Sequence, residues 1–231
     1  MKAKIKTKRK YKLFDYVLIL IMLLVCFLTI YPMWYILVNS LAAPDVASLG
    51  AVAWWPSALS LDAYKVVFQN EYIVSGFLVT IGRTVLATTI HVLFTAMVAY
   101  GMSRNHLIGR KLYMKIAMII MFFNGGLIPN FILMLKLGLY NTFWVFIIPA
   151  MYTFYDMIIF ISFFRTIPES LIESAKIDGA SEYTIFWKIL LPNCKAVIAT
   201  IALFAGVYHW NDYYQGVIYI RDRSLQPLQT I

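Results

Sequence analysis

Arg83, His91 and Asp156 are ionisable residues embedded in otherwise apolar runs. An ionisable side chain at membrane depth costs roughly 2.5–3.5 kcal/mol on insertion scales, so each is expected to face protein or water. Arg83 lies about ten residues into its run and Asp156 about fifteen into its own. At 1.5 Å per residue their depths differ by ~7 Å, which a long Arg side chain partly covers. The pair reads either as a cavity lining or sugar contact, or as an ion pair between helices; near the outer face Arg83 would also snorkel. His91 reads as a hydrogen-bonded structural histidine, because no acidic or sulfur partner stands at metal spacing from it. Sugars are held by planar amide and carboxylate groups with aromatic faces against their C–H surfaces. Two clusters supply those types: Asn124-Gly125-Gly126, and the run from His209 through Trp210, Asn211 and Asp212 to Tyr214. The alternatives are a packed helix kink for the first and an interfacial aromatic belt for the second.

A second kind of chemistry sits in Ile167–Pro192, the most polar helix-patterned stretch between the apolar runs, with Glu169, Glu173, Lys176, Asp178, Glu182 and Lys188. Thr166 and Glu169 have capping-box spacing, and Pro168 falls in a first turn where its missing N–H costs nothing. The pattern predicts one helix to about Lys176, a break at Asp178-Gly179, and a second helix from near Ser181 to Pro192. That second helix shows Ile185, Phe186, Ile189 and Leu190 on one side. Two short helices joined at a glycine make a rigid knuckle on which a large partner would dock.

Catalytic signatures are missing. The sequence has no G-x-x-x-x-G-K-[ST] phosphate cradle, no H-E-x-x-H and no G-x-S-x-G. No cofactor is expected on this chain, no metal site is assigned, and any ATP-Mg chemistry must belong to another polypeptide. Cys26 and Cys194 stand in different settings and are not expected to pair.

The elements that position these residues follow from composition. The chain has 231 residues, of which 61% are hydrophobic and 13% charged, and a mean hydropathy of +0.74. Soluble domains carry about 25% charged residues. With several apolar stretches near 20 residues and no 10-residue alternation, the class is an all-α polytopic transmembrane bundle. Five spans are expected, at about Tyr16–Val38, Ile73–Tyr100, Leu112–Leu135 (interrupted at residues 124–126 and Pro129), Thr142–Phe164 and Ala196–Tyr214. The loop from Asn39 to Tyr72 is expected to shape an external surface, and the residues after Tyr214 to form a loop. With the amino terminus inside, inner segments hold 15 Lys and Arg and outer segments four, a positive-inside bias that puts the knuckle in the cytoplasm. The +9 net charge is therefore read as a topology signal and not as a nucleic-acid signal. The basic residues 1–15 form a cytoplasmic, anionic-lipid-facing start to a transmembrane domain spanning 16–231.

Glu173-Ser174-Ala175, Gly179 and Ile189-Leu190-Leu191-Pro192 resemble the EAA loop of binding-protein-dependent ABC importer permeases. That pattern runs E-A-A, three residues, G, nine residues, I-x-L-P, and every spacing holds; Ser174 replaces the second position's Ala. Ala99-Tyr100 to Ser103-Arg104, Phe123–Pro129, Ile177–Ser181 and His209-Trp210-Asn211 extend the resemblance to carbohydrate-type permeases, particularly the LplC/YtcP-like group. It implies a multi-pass subunit of the bacterial cell membrane that is not an enzyme. Its implied partners are a second homologous permease, two cytoplasmic ABC ATPase subunits and an extracellular solute-binding protein. By resemblance, Glu173 makes polar contacts at the ATPase and Gly179 makes the tight turn. Ser174, Ala175, Asp178 and Ala180 belong to the same close-fitting coupling element, which Ile189, Leu191 and Pro192 complete. Such permeases continue past the equivalent of Ile231, so a sixth span is expected to be missing and the chain to be a fragment or truncated gene. A peptide or other solute as cargo stays open, as does a proton-coupled carrier or intramembrane enzyme using Arg83, His91 and Asp156.

Overall fold

A computed structural model describes residues 13–43, 54–56, 58–104, 107–123 and 125–231. The chain divides into two units, residues 1–70 and 71–231.

In the first unit, helix α1 (Leu13–Ser40) exposes apolar side chains all round, with only Val38 buried. At 28 residues it is long enough to cross a bilayer with tilt. Phe27, Tyr31 and Trp54 gather near its C-terminal half, and Trp34 Nε1 donates to the Trp54 carbonyl at 3.0 Å. A short helix α2 (Asp62–Gln69) closes the unit. Asn39–Tyr72 is therefore not wholly loop.

The second unit is built on α3 (Glu71–Ser103), a 33-residue helix. Its buried residues Gly76, Thr80, Arg83, Ala87, His91, Thr95 and Ala99 recur at three- and four-residue intervals. Most are small, and a stripe of small residues lets neighbouring backbones come close where no water drives association. Against that stripe pack α6 (Phe154–Phe164) and α9 (Lys195–Asn211). At ~50 Å the helix is longer than a ~30 Å hydrocarbon core, a mismatch met by tilt or by an end that projects beyond it.

Between them, α4 (Arg110–Phe122) and α5 (Leu127–Lys136) are bent by 116°. The expected third span is thus two separate helices, with Gly126 at φ +86° capping the second. The expected fourth span begins as 3₁₀ turns at Phe143–Phe146 and Ile148–Ala150, and only α6 is α-helical. Pro149 lacks an N–H for an α ladder, and Thr153 caps a fresh start by accepting from the Asp156 N–H. Among the described residues two helices are long and apolar enough to cross a membrane, or up to five if each bent pair is one span.

The residues after α9 correct the expectation of a loop. Helix α10 (Tyr214–Tyr219) and two 3₁₀ turns fold back along α3. The Leu228 N–H donates to Thr80 Oγ1 at 2.9 Å. A Cβ at Gly76 would stand 3.2 Å from the Gln226 carbonyl oxygen and 3.3 Å from the Leu228 nitrogen, so a side chain here would press on the folded-back backbone. Asn141, at φ 57°, accepts the N–H groups of Arg221 and Asp222 at 2.9 and 2.8 Å.

Candidate functional site

The polar knuckle is a two-armed turn. Thr166 does not cap its first arm: Oγ1 donates back to the Phe163 carbonyl at 2.7 Å, and α7 (Glu169–Ile177) starts one residue after Pro168. The arm ends in a Schellman turn. The Ala180 N–H donates to the Ala175 carbonyl at 2.9 Å, and the Gly179 N–H to that of Lys176 at 3.0 Å. Such a turn needs a left-handed residue, and Gly179 has φ +80°. Ser181 Oγ then accepts the Thr184 N–H at 3.2 Å and opens α8 (Glu182–Asn193), which contains a π-turn at Phe186–Leu190. Pro192 is followed by an 82° bend into α9.

One side of this turn is core and the other is free. Ile172, Ile185, Phe186, Leu190 and Leu191 join the same apolar cluster as Phe160, Val197 and Ile201. Glu173, Ser174, Asp178, Gly179 and Pro192 are exposed, while Ala175, Ala180 and Ile189 are half-buried. Ile177 is 86% and Tyr183 70% exposed beside Gly179. These two apolar side chains flank the tip, and the sequence reading did not single them out. Their positions next to a required glycine were the available signal.

Glu182 ties both arms to α3. It accepts from the Tyr100 hydroxyl, and its other oxygen lies 2.6 Å from Lys176 Nζ. Arg104 Nη2 donates to the same hydroxyl at 2.6 Å, with its guanidinium over the Tyr100 ring. The Lys176 hydrogen bond, then that of Tyr100, holds the Glu182 carboxyl below the usual carboxylate range.

The intramembrane residues do not form the expected pair. Arg83 is fully buried, which excludes snorkelling. Its Nε donates to the His209 carbonyl at 2.9 Å, and Nη2 donates to the carbonyls of His209 and Asp212. The Asp212 carboxylate lies 3.4 Å away, and the guanidinium stacks 4.8 Å over Phe146. Arg83 thus caps the last carbonyls of α9, the groups a helix end leaves unbonded. Asp156 pairs with His91 instead, Nε2 to Oδ2 at 2.8 Å, while Thr153 Oγ1 donates to the same oxygen at 2.7 Å. His91 Nδ1 meets the Ala150 carbonyl at 2.7 Å. A carbonyl only accepts, so Nδ1 carries a proton, and a second proton lies between Nε2 and Asp156. The pair is therefore neutral as a unit.

His91 and Asp156 border a cavity of about 420 Å³ together with Thr153, Tyr208, His209 and Gln215. Trp210 and Asn211 border a different, shallower cavity of about 310 Å³. The Asn211 amide is turned back onto the Val207 carbonyl, Trp210 meets Phe77 edge-on, and Tyr214 opens α10 half-exposed. Asn124 lies outside the described residues. Among the residues expected to contact a cargo, Asp156 and His209 reach the larger cavity, whereas Trp210, Asn211 and Tyr214 do not line it.

Residues 73–222 match the family described as binding-protein-dependent transport system inner membrane component. The chain belongs to that family. Protein LplC of Bacillus subtilis is 39% identical over 204 residues, covering 88% of this chain and 69% of that protein. The polygalacturonan/rhamnogalacturonan transport system permease protein YtcP of the same organism is 36% identical over 222 residues, 96% and 78% of the two chains. A crystal structure of a bacterial ABC transporter involved in importing the acidic polysaccharide alginate aligns with a TM-score of 0.91 at 27% identity. That alignment covers 96% of this chain and 81% of the other. Within this inner membrane component, the two-armed turn and the His91–Asp156 cavity both present polar groups that the fold does not fully satisfy.

Proposed function

We propose that this inner membrane component is the permease subunit of an ATP-driven, binding-protein-dependent importer for oligosaccharides or related carbohydrates. It works beside a second, homologous permease, two cytoplasmic ATPase subunits that use ATP-Mg, and an extracellular solute-binding protein. The basic amino terminus and the knuckle lie on the cytoplasmic side, as the 15-to-four Lys and Arg bias favours. A carbohydrate cargo is supported by the polygalacturonan/rhamnogalacturonan name of one relative and the alginate title of the structural neighbour.

The observation that carries the mechanism is the knuckle, with one face fused to the core and the other free. A docking element of this kind has to be stiff, because a floppy one absorbs the motion it should pass on. The Schellman turn, the Ser181 cap and the Glu182 bonds supply that stiffness. Glu173, Ser174, Asp178 and Gly179 would contact the ATPase, with Ala175 and Ala180 allowing close packing. Closure of the ATPase pair then moves the knuckle with α3 and α9 as a rigid body and switches access to the pathway.

The test is Glu173→Lys and Gly179→Trp in the complex reconstituted with its operon partners. A Cβ at Gly179 meets nothing within 4 Å, but at φ +80° any side chain strains the turn itself, so Glu173→Lys tests the docking contact and Gly179→Trp tests the turn that presents it. Loss of ATPase association, at least tenfold, with the permease still folded is expected. Unaltered association and cargo-stimulated ATP hydrolysis would refute the assignment.

A further inference from the structure

We infer that the cavity beside His91 and Asp156 binds one neutral sugar ring and selects hydroxyl donors over a carboxylate. The inference rests on the importer reading and adds the site and the class of ring it accepts.

At about 420 Å³ the cavity falls within the range of ~300–1,000 Å³ typical of small-molecule sites. Its polar groups are not consumed by the fold. His209 is 1% exposed, yet its Nδ1 has no hydrogen-bond partner among the described residues. The Gln215 Oε1 atom is buried and also lacks one. Asp156 accepts from His91 and Thr153 through Oδ2, and among the described residues Oδ1 takes no hydrogen bond. A buried polar atom without a partner is costly, so two such atoms on residues that border one cavity point to a ligand that draws them out and satisfies them.

The types are those a sugar ring needs. Asp156 Oδ1 and Gln215 Oε1 accept from hydroxyls, and a neutral imidazole at His209 offers one donor and one acceptor nitrogen. Tyr208 and Phe204 border the same space and supply aromatic surface for the ring's C–H faces.

Charge decides between a neutral ring and a uronate. No Lys or Arg borders the cavity among the described residues. Arg83, the buried cation of this region, turns Nε and Nη2 to the carbonyls of His209 and Asp212; its Nη1 has no hydrogen-bond partner among the described residues, but Arg83 does not border the cavity. His91 is committed to Asp156 and Ala150. A carboxylate placed here would face the open oxygen of Asp156 without a free cation, whereas a hydroxymethyl group would donate to it.

The experiment compares α-1,4-galactobiose with α-1,4-digalacturonate, which differ only in bearing CH₂OH or COO⁻ at C6. Each is titrated calorimetrically into the permease–ATPase complex in nanodiscs, without solute-binding protein. We expect the neutral disaccharide to bind at least tenfold more tightly. Asp156→Asn should weaken galactobiose roughly tenfold, the loss of a hydrogen bond to a carboxylate oxygen, and should tighten digalacturonate, because the same change removes the carboxylate that its C6 carboxylate faces. Gln215→Leu, which leaves the His91–Asp156 bonds intact, should weaken both probes about equally. Absence of galactobiose binding, equal affinity for both disaccharides, or an Asp156→Asn loss equal for the two would each overturn the inference. Assembly and ATP turnover of the wild-type complex are measured on the same preparation. If these are normal and sugar binding is absent, the cavity assignment fails alone; if assembly fails, the importer reading fails.

Discussion

Replacing Arg83 should destabilise the chain more than any other single change outside its apolar core. Arg83→Met removes the donors to two buried carbonyls and the partner of the Asp212 carboxylate, whose side chain is 9% exposed. An orphaned buried acceptor costs about 1–3 kcal/mol, and a broken buried ion pair about 3–5 kcal/mol. Asp212 Oδ1 keeps the N–H of Tyr214 at 3.1 Å, which softens the charge penalty. The sum is therefore placed at about 4 kcal/mol. Arg83→Lys keeps the charge but cannot bridge the carbonyls of His209 and Asp212, and should lose about 2 kcal/mol. Arg83→Met with Asp212→Asn should recover about 1–2 kcal/mol by removing the stranded charge. Equilibrium unfolding in mixed micelles gives these values, and limited proteolysis should show the residues after Asp212 released first. An Arg83→Met protein within 1 kcal/mol of wild type, or full rescue by Lys, would refute the reasoning.

Three further outcomes follow from the geometry. Gly76→Val should detach the residues after α10 from α3, because its Cβ would press on the backbone at Gln226 and Leu228; rapid hydrogen exchange at the Leu228 N–H reports it, and unchanged protection counts against the packing described. The Glu182 carboxyl, held below its ordinary value of 4.5, stabilises the knuckle fully above that pH and loses the contribution as pH falls through the depressed value. Because that side chain is 51% exposed, the effect is at most about 1 kcal/mol, so knuckle exchange rates should be flat in this respect from pH 6 to 8 and rise below 4.5. Ile177→Ser with Tyr183→Ser should leave the permease stable and weaken ATPase association by about tenfold, as expected for exposed apolar anchors at a docking face.

The knuckle was legible because every signal that builds it is local. Gly179, Ser181 and Pro192 each act within a few residues, and local turn chemistry does not depend on the rest of the chain. The capping box failed because Thr166 found a nearer acceptor at Phe163. Arg83 was legible only in part, for the opposite reason. Depth arguments left it an ion pair with Asp156 or a cavity contact; the carboxylate beside it is Asp212 instead, and its main acceptors are backbone carbonyls 126 and 129 residues away, which carry no sequence signature. The cargo cluster shows a signal that was present and unused. Val197, Ile201, Ala205 and His209 recur every four residues and are all buried, which puts His209 on the inner face of α9 and Trp210 and Asn211 elsewhere. The folded-back end was illegible because the space for it is made by Gly76 and Gly216, whose meaning appears only when the partner strand of chain is in place.

Helix α3 bears on more than packing. Thr80 near one end holds the folded-back segment, His91 in the middle borders the cavity, and Tyr100 near the other end holds Glu182 of the knuckle. Gly76 and Arg104 are about 42 Å apart along such a rod. A tilt of only about 5° pivoting at one end carries the other through roughly 4 Å, more than a hydrogen bond's length. A tilt of that size would make or break single polar contacts at the far end with no bending of the helix itself.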